Sequence, residues 1–146
     1  MFKIKLAISS LWFSFLMFLP DEFSKFRVQY YNKKGCKINR KTSISPNVRI
    51  RGYVEIDMGS SIAQNSSISG GNVGVFIGKN VMIAPNVSIV AFNNGFADLE
   101  IPMVEQINIE GKIIIEDDVW IASNCTVGKG VRIGKGSIIG ANSFVN

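Results

Sequence analysis

A residue of the isoleucine or valine type recurs at every sixth position over most of this chain, and few folds can use that rhythm. Ile38, Ile44, Ile50, Ile56, Ile62 and Ile68 form a first run. Ile77, Ile83 and Ile89 form a second, and Ile109, Ile115, Ile121, Val127, Ile133, Ile139 and Val145 a third. An amphipathic helix needs apolar spacings of three and four, and a half-buried strand alternates by two, so a sustained six is neither. It fits a coil with flat sides, each a short strand followed by a turn. Three sides make a triangular coil of about 18 residues, stacked on the next at roughly 4.8 Å. The expected fold is therefore an all-β solenoid, a parallel β-helix. Spacing leaves its hand open, and the general rule for parallel crossovers favours the right hand.

Two further positions support the coil. The residue after the aliphatic is often small (Ala63, Gly78, Ala84, Ala122, Gly128, Gly134, Gly140), which suits a tight corner and predicts positive φ there. Four places after the aliphatic stand Thr42, Val48, Val54, Ser66, Val81, Val87, Val119, Cys125, Val131 and Ser137, small enough to fill a narrow interior.

The rhythm breaks twice, between 68 and 77 and between 89 and 109. The second break contains VAFNNGFADLEIPMVE (90–105), with adjacent asparagines at 93 and 94 and a short acidic run. A periodic chain that leaves its coil for so long a loop, 92–106, predicts a functional excursion. The ends of a solenoid need covering. The chain opens with a basic start and an apolar run from Leu6 to Leu19, closed by Pro20. Fourteen residues is short for a bilayer span of about 20. Two readings stay open: a helix capping the solenoid, or one lying in a membrane face through Trp12, Phe13, Phe15 and Phe18. After Pro20 a second short helix is expected, with Asp21 as its cap and Gly35 as its stop. The organisation expected is a helical segment over 1–35 and a β-helix over 36–146.

Composition narrows the chemistry. The formal charge is +5, and five basic residues lie between Lys33 and Lys41. Without aromatics interleaved on a common face, that cluster argues against nucleic acid. Histidine is absent, which removes the usual general base and the usual zinc ligand, and no metal is expected. The two cysteines, Cys36 and Cys125, are far apart in sequence; Cys125 sits at an interior position and is expected to pack.

Three blocks, FIGKNVMIAPNVSIV (76–90), FNNGFADLEIPM (92–103) and IIIEDDVWIASNCTVGKGVRIGKGSIIGANSFV (113–145), carry a resemblance. Over roughly 38–146 the chain resembles the hexapeptide-repeat acyltransferases, in the branch of maltose, galactoside and nodulation-factor O-acetyltransferases and their polysaccharide-modifying relatives. The resemblance implies a left-handed β-helix, a homotrimer, and acetyl-CoA and a carbohydrate acceptor held in clefts between subunits. It implies a place in the cytoplasm, at the inner face of the cell membrane for members with such an N-terminal segment. In that family the loop carries a histidine that deprotonates the acceptor hydroxyl, in a run such as Asn-His-Gly-Phe. Here Asn93, Gly95 and Phe96 match, and Asn94 stands in the histidine's place. A carboxamide donates and accepts hydrogen bonds but takes no proton near neutrality. Three readings follow: an inactivating change, a catalytically silent copy, or another base among Asp98, Glu100 and Glu105. Asn65 matches a region of acceptor contact and equally suits a coil corner. On the donor side Trp120 matches the residue beside the coenzyme arm. Ala122 matches the position whose N–H faces the thioester carbonyl, with Ser123 next to it. Ala141 and Asn142 match positions along the pantetheine, and Lys129, Arg132 and Lys135 are placed to meet phosphates. The function implied is acetyl-CoA-dependent O-acetylation of a sugar hydroxyl. The alternatives are N-acetylation of an amino sugar and a non-catalytic trimeric scaffold.

Overall fold

The computed structural model describes residues 2–146, with side chains from Ser9 onward. The basic start and the first apolar residues of the N-terminal run, Leu6 to Ile8, have side chains outside that part. Two helices, α1 (Phe2–Phe18) and α2 (Ser24–Lys33), precede a coil of short strands. The first coil is β1 (Lys37–Ile38), β2 (Ser43–Ile44) and β3 (Arg49–Arg51); the second is β4 (Val54–Ile56), β5 (Ser61–Ile62) and β6 (Ser67–Ser69). The third is β7 (Val75–Ile77), β8 (Met82–Ile83) and β9 (Ser88–Val90). A hairpin of β10 (Phe92–Asn93) and β11 (Ile109–Glu110) follows. The fourth coil is β12 (Ile113–Ile115), β13 (Trp120–Ile121) and β14 (Thr126–Val127), and the fifth is β15 (Arg132–Ile133), β16 (Ile138–Ile139) and β17 (Phe144–Val145). Strands of successive coils pair in parallel and build three 5-stranded sheets, β1-β4-β7-β12-β15, β2-β5-β8-β13-β16 and β3-β6-β9-β14-β17. The solenoid is a left-handed parallel β-helix, so the crossover rule, framed for strands returning within one sheet, does not set the hand here.

Register shows the period directly. Lys37 pairs with Glu55, a step of 18. Val54 pairs with Val75, a step of 21, so the break after 68 adds three residues. Val75 pairs with Ile113, a step of 38, so the second break adds twenty. The repeating aliphatics fill the interior from Ile38 to Ile133, with Ile139 and Val145 of the last coil half-buried. Ile109 is the exception: it is 43% exposed and pairs antiparallel with Asn93, in the hairpin and off the coil. It stands six before Ile115 by sequence spacing only. Cys125 is fully buried, as its interior position predicts.

Corner conformation also departs from expectation. Positive φ falls on the third residue after the aliphatic: Asn47, Asn65, Asn80, Asn86, Asp118, Asn124 and Asn142, with Gly59, Gly130 and Gly136 in equivalent places. Asparagine and aspartate accept this left-handed conformation better than other residues with a Cβ. Gly78, immediately after an aliphatic, has ordinary φ; a Cβ there would meet Asp117 N at 2.8 Å, so close stacking of coils selects it.

The N-terminal end is closed by side chains that stand in for a missing coil. Asn32 receives the Ile38 N–H (2.7 Å) and donates to Ile38 O (2.8 Å), and Ser24 Oγ receives the Ile44 N–H (2.7 Å). Arg27, fully buried, donates to the carbonyls of Ile44 (2.7 Å), Leu19 (2.8 Å), Pro20 (3.0 Å) and Leu16 (3.3 Å). Tyr31 donates its hydroxyl to Val48 O (2.6 Å) and is buried. These bonds satisfy the open strand edge that a solenoid end would otherwise expose. Asp21 does not cap α2: it opens a 3-10 turn, Asp21–Phe23, and makes no side-chain capping bond. Among the residues of α1 with described side chains, Leu16 and Met17 are buried against this end and Phe13 packs partly buried on it, while Leu11, Trp12, Phe15 and Phe18 are exposed. No described helix is long and apolar enough to cross a membrane.

Candidate functional site

The loop between the third and fourth coils is a built element. Its legs pair through Phe92 with Glu110 and Asn93 with Ile109. Gly95 lies where the legs meet, and a Cβ there would come within 2.6 Å of Gln106 Cβ and Ile107 O. Gln106 clamps the far part: it donates to Asp98 O (2.7 Å) and Ile101 O (2.8 Å) and receives the Asp98 N–H (3.2 Å). The Asp98 carboxylate receives the Glu100 N–H (2.9 Å), so Asp98 serves the loop's own turn. Asn93, Asn94 and Glu100 are exposed on it, and Glu105 ends a 3-10 turn, Met103–Glu105, likewise exposed. Seven large apolar side chains remain uncovered, with Leu99 at 94%, Ile107 at 90% and Val104 at 89%. Such exposure in an ordered hairpin marks an interaction surface.

The donor-side residues gather on the second sheet. Trp120 points outward from β13, 44% exposed, between Met82 and Ile138 in the adjacent strands. The three form an apolar strip across the third to fifth coils. Met82 and Ile138 were not singled out from the sequence, although both stand one place before a repeating aliphatic, as Trp120 does. Ser123 follows in the turn, half-buried, with Ala141 exposed one coil on. The Ala122 N–H donates to Ile139 O (2.9 Å) and so belongs to the ladder between coils. The expected oxyanion donor thus points along the solenoid to the fifth coil, from the residue immediately after β13.

Two expected contact residues have a conformational reason for being asparagine. Asn65 and Asn142 are corner residues at φ 62 and 61. Asn47 donates to Asn65 (2.8 Å), and on the same corner Asn86 donates to Asn124 (3.1 Å) and Asn124 to Asn142 (3.2 Å), forming ladders along the solenoid. Of the basic residues, Arg132 pairs with Glu116. The Lys135 backbone N–H also binds that carboxylate (2.8 Å). This N–H first, and Arg132 second, hold the Glu116 carboxyl below its ordinary range. Among the described residues Lys129 and Lys135 have no ion-pair partner. Among the described residues no side-chain hydrogen bond or ion pair joins Asn93–Glu105 to Trp120, Met82 or Ile138.

Comparisons with known proteins agree with this architecture. Residues 112–146 match the family model described as bacterial transferase hexapeptide (six repeats). No curated protein matches the chain significantly. Among solved structures, a hexapeptide-repeat-containing acetyltransferase of Vibrio cholerae O1 biovar eltor, VCA0836, complexed with acetyl coenzyme A, is 28% identical with a TM-score of 0.64. The match covers 77% of this chain and 60% of that one. AntD, an N-acyltransferase of Bacillus cereus in complex with dTDP and 3-hydroxybutyryl-CoA, is 24% identical with a TM-score of 0.61, over 76% of this chain and 61% of that one. A variant of AntD bound to dTDP-4-amino-4,6-dideoxyglucose and coenzyme A is 21% identical with a TM-score of 0.57, over 81% of this chain and 77% of that one. The AntD likenesses speak for the fold. The chain thus spans about three fifths of the length of the first two structures. Its last coils match the bacterial transferase hexapeptide model, and its fold is similar to that of these hexapeptide-repeat acyltransferases.

These comparisons correct the expected reaction. O-acetylation of a sugar hydroxyl is overturned: the similar structures whose acceptor chemistry is named are N-acyltransferases, one holding an amino sugar. The chemistry agrees: a hydroxyl acceptor needs a general base, which the carboxamide of Asn94 is not, whereas a neutral amine can attack without one.

Proposed function

We propose that this chain is a CoA-dependent acyltransferase that acylates the amino group of a nucleotide-linked amino sugar. The observation that carries this reading is the carboxamide of Asn94 on a loop built to present it. A neutral amine already has its nucleophilic lone pair, so the loop has to orient the acceptor and need not deprotonate it before attack. Nitrogen attacks the thioester carbonyl carbon, the tetrahedral intermediate collapses, the C–S bond breaks, and coenzyme A leaves as thiolate. The proton shed by nitrogen goes to solvent or to the departing sulfur. Asn93 and Asn94 supply hydrogen bonds to the acceptor, with Glu100 exposed beside them. Trp120, with Met82 and Ile138, lies along the pantetheine, and Ser123, Ala141, Lys129 and Lys135 line the rest of the donor path. Acyl-CoA as donor is supported by VCA0836, complexed with acetyl coenzyme A.

Two finer readings go with it. The uncovered apolar side chains of the loop support assembly as a homotrimer, in which the loop of one copy meets the Trp120 strip of the next. The exposed Trp12, Phe15 and Phe18 support peripheral contact of α1 with a membrane face.

The test is a matched pair of acceptors, a nucleotide 4-amino-sugar and its 4-hydroxy counterpart, with acetyl-CoA and a readout of coenzyme release. The amino sugar should react and the hydroxyl analogue should not. The rate should rise with pH up to about 8, near the usual range for such amines. Equal turnover of both acceptors would refute the reading. Replacing Asn94 with histidine should change the amine reaction less than about tenfold, well short of the roughly 10²–10⁴ a general base supplies.

A further inference from the structure

The capped end of the solenoid carries a second feature that the acyl-transfer site does not use. A groove of about 890 Å³ runs between α2 and the turn from β1 to β2, lined by Lys25, Gln29, Lys33, Arg40 and Lys41 over a floor of Val28 and Asn32. Lys25, Gln29 and Lys33 fall at successive i+4 positions and so share one stripe of α2, which brings both ammonium groups to the same side. No carboxylate lines the groove. The three ion pairs among the described residues involve Arg27, Lys37 and Arg132, so none of these four cations is matched.

Exposed rings crowd the same end. Phe26 adjoins Lys25 on α2 and stacks obliquely with Phe23 (5.9 Å), both uncovered. Phe18, just before α2, is 90% exposed, and Trp12 and Phe15 on α1 pair at 5.9 Å with both rings open to solvent. α1 meets the cap through Phe13, which packs on Tyr30 and Tyr31, and through the turn that buries Leu16 and Met17, so Trp12, Phe15 and Phe18 are the α1 rings left open to solvent. Cations around a concavity beside unpartnered aromatics form the composition that binds the headgroup and acyl boundary of a negatively charged bilayer. The groove flanks the first coil. The Trp120 strip is centred on the fourth, three coil spacings or roughly 14 Å further along the axis, so coenzyme phosphates at that strip do not explain the groove.

We propose that the N-terminal end of the β-helix docks on an anionic bilayer, with the Lys25–Lys33–Arg40–Lys41 groove taking lipid phosphates and the rings of α1 and α2 entering the acyl boundary. This rests on the reading that α1 touches a membrane, and adds to it the headgroup chemistry and the residues that supply it.

The test is co-sedimentation of the full chain with phosphatidylcholine vesicles, with and without phosphatidylserine, beside titrations with inorganic phosphate and pyrophosphate. Binding is expected on the serine-containing vesicles, with loss in high salt. Lys33→Glu with Arg40→Glu should weaken it roughly 25-fold or more, at about fivefold per charge removed. Trp12→Ser with Phe15→Ser should abolish it, with circular dichroism confirming that both variants are folded. Equal binding to neutral vesicles, untouched by the charge reversals, would overturn the groove's role and leave α1 as the contact. Pyrophosphate bound at the groove with no vesicle binding would make it a site for a soluble phosphate and overturn the lipid assignment. No binding to vesicles or to either anion would overturn both.

Discussion

The β-helix departs from its coil in two places, and they are built on opposite plans. At the N-terminal end, α2 turns polar side chains inward: Arg27, Tyr31, Asn32 and Ser24 replace the hydrogen bonds a further coil would have made. Between the third and fourth coils, the loop turns its polar groups on itself through Gln106 and Asp98 and leaves its apolar side chains outside. The cap spends its chemistry on the fold, while the loop holds a shape and offers a surface. Damage to the cap should therefore be read in stability, and damage to the loop in catalysis.

The largest effect expected is at Arg27. Its replacement by alanine removes the donor from the buried carbonyls of Ile44 and Leu16 and from the part-buried bonds to Leu19 and Pro20, at a cost of about 3 kcal/mol or more. A urea titration should show it as a lower midpoint. An undiminished midpoint would mean that the cap is not holding the coil.

Gly95→Val should do the reverse. The added side chain collides with Ile107 O and Gln106 and displaces the loop tip, with the acyl-transfer rate falling on the order of 10²-fold through misplacement. Thermal stability should change little, since the loop bonds mainly to itself. A large fall in melting temperature would erase the contrast between loop and cap.

Tyr31→Phe should cost roughly 1 kcal/mol by removing the hydroxyl bond to Val48 O. It should also change the response to alkali. Burial pushes the Tyr31 hydroxyl from an ordinary 10.0 up to about 12. The folded state thus keeps its proton longer than the unfolded one, and this contribution is full below pH 10 and is lost as pH rises toward 12. Unfolding measured across that window should steepen with pH in the parent and less in the variant.

The smallest effect is at Glu116, which ties the fourth coil to the fifth. Its carboxyl is depressed by the Lys135 N–H and by Arg132, so the contribution is present above the ordinary carboxylate range and fades as pH falls through the lowered value. Glu116→Gln should flatten the acid limb of stability slightly and leave the neutral plateau within error, as expected for an exposed pair.

How much of this was legible in the sequence depended on which features repeat. Fifteen aliphatic positions mark the five coils, because a narrow interior needs the same residue type at each side of every turn. Ile109 escaped, since a hairpin strand also uses isoleucine and here keeps a spacing of six by coincidence. The corner asparagines were visible as residues but not as conformations, and positive φ was expected two places too early. Arg27 and Tyr31 gave no signal as cap residues, because their partners lie 17 positions away and do not recur. For the site, Trp120 and the Asn93–Asn94 loop stood out by motif, whereas Met82, Ile138 and Gln106 become meaningful only once register and loop path are known. The acceptor atom lay beyond motif altogether: the loop's Asn-for-His difference reads as a lost base until an amine acceptor is considered.

We propose that the working site joins the loop of one copy to the donor strip of the next. It is tested by co-expressing the Gly95→Val chain with a Trp120→Ala chain, each inactive alone, and assaying the purified mixed oligomers with acyl-CoA and an amino-sugar acceptor. Random assembly pairs an intact loop with an intact strip at about a quarter of the interfaces (half of each), given that head-to-tail contacts close the ring. Activity should recover to roughly that fraction of the parent. Mixed oligomers that stay inactive would place loop and strip in the same chain's site and contradict the account.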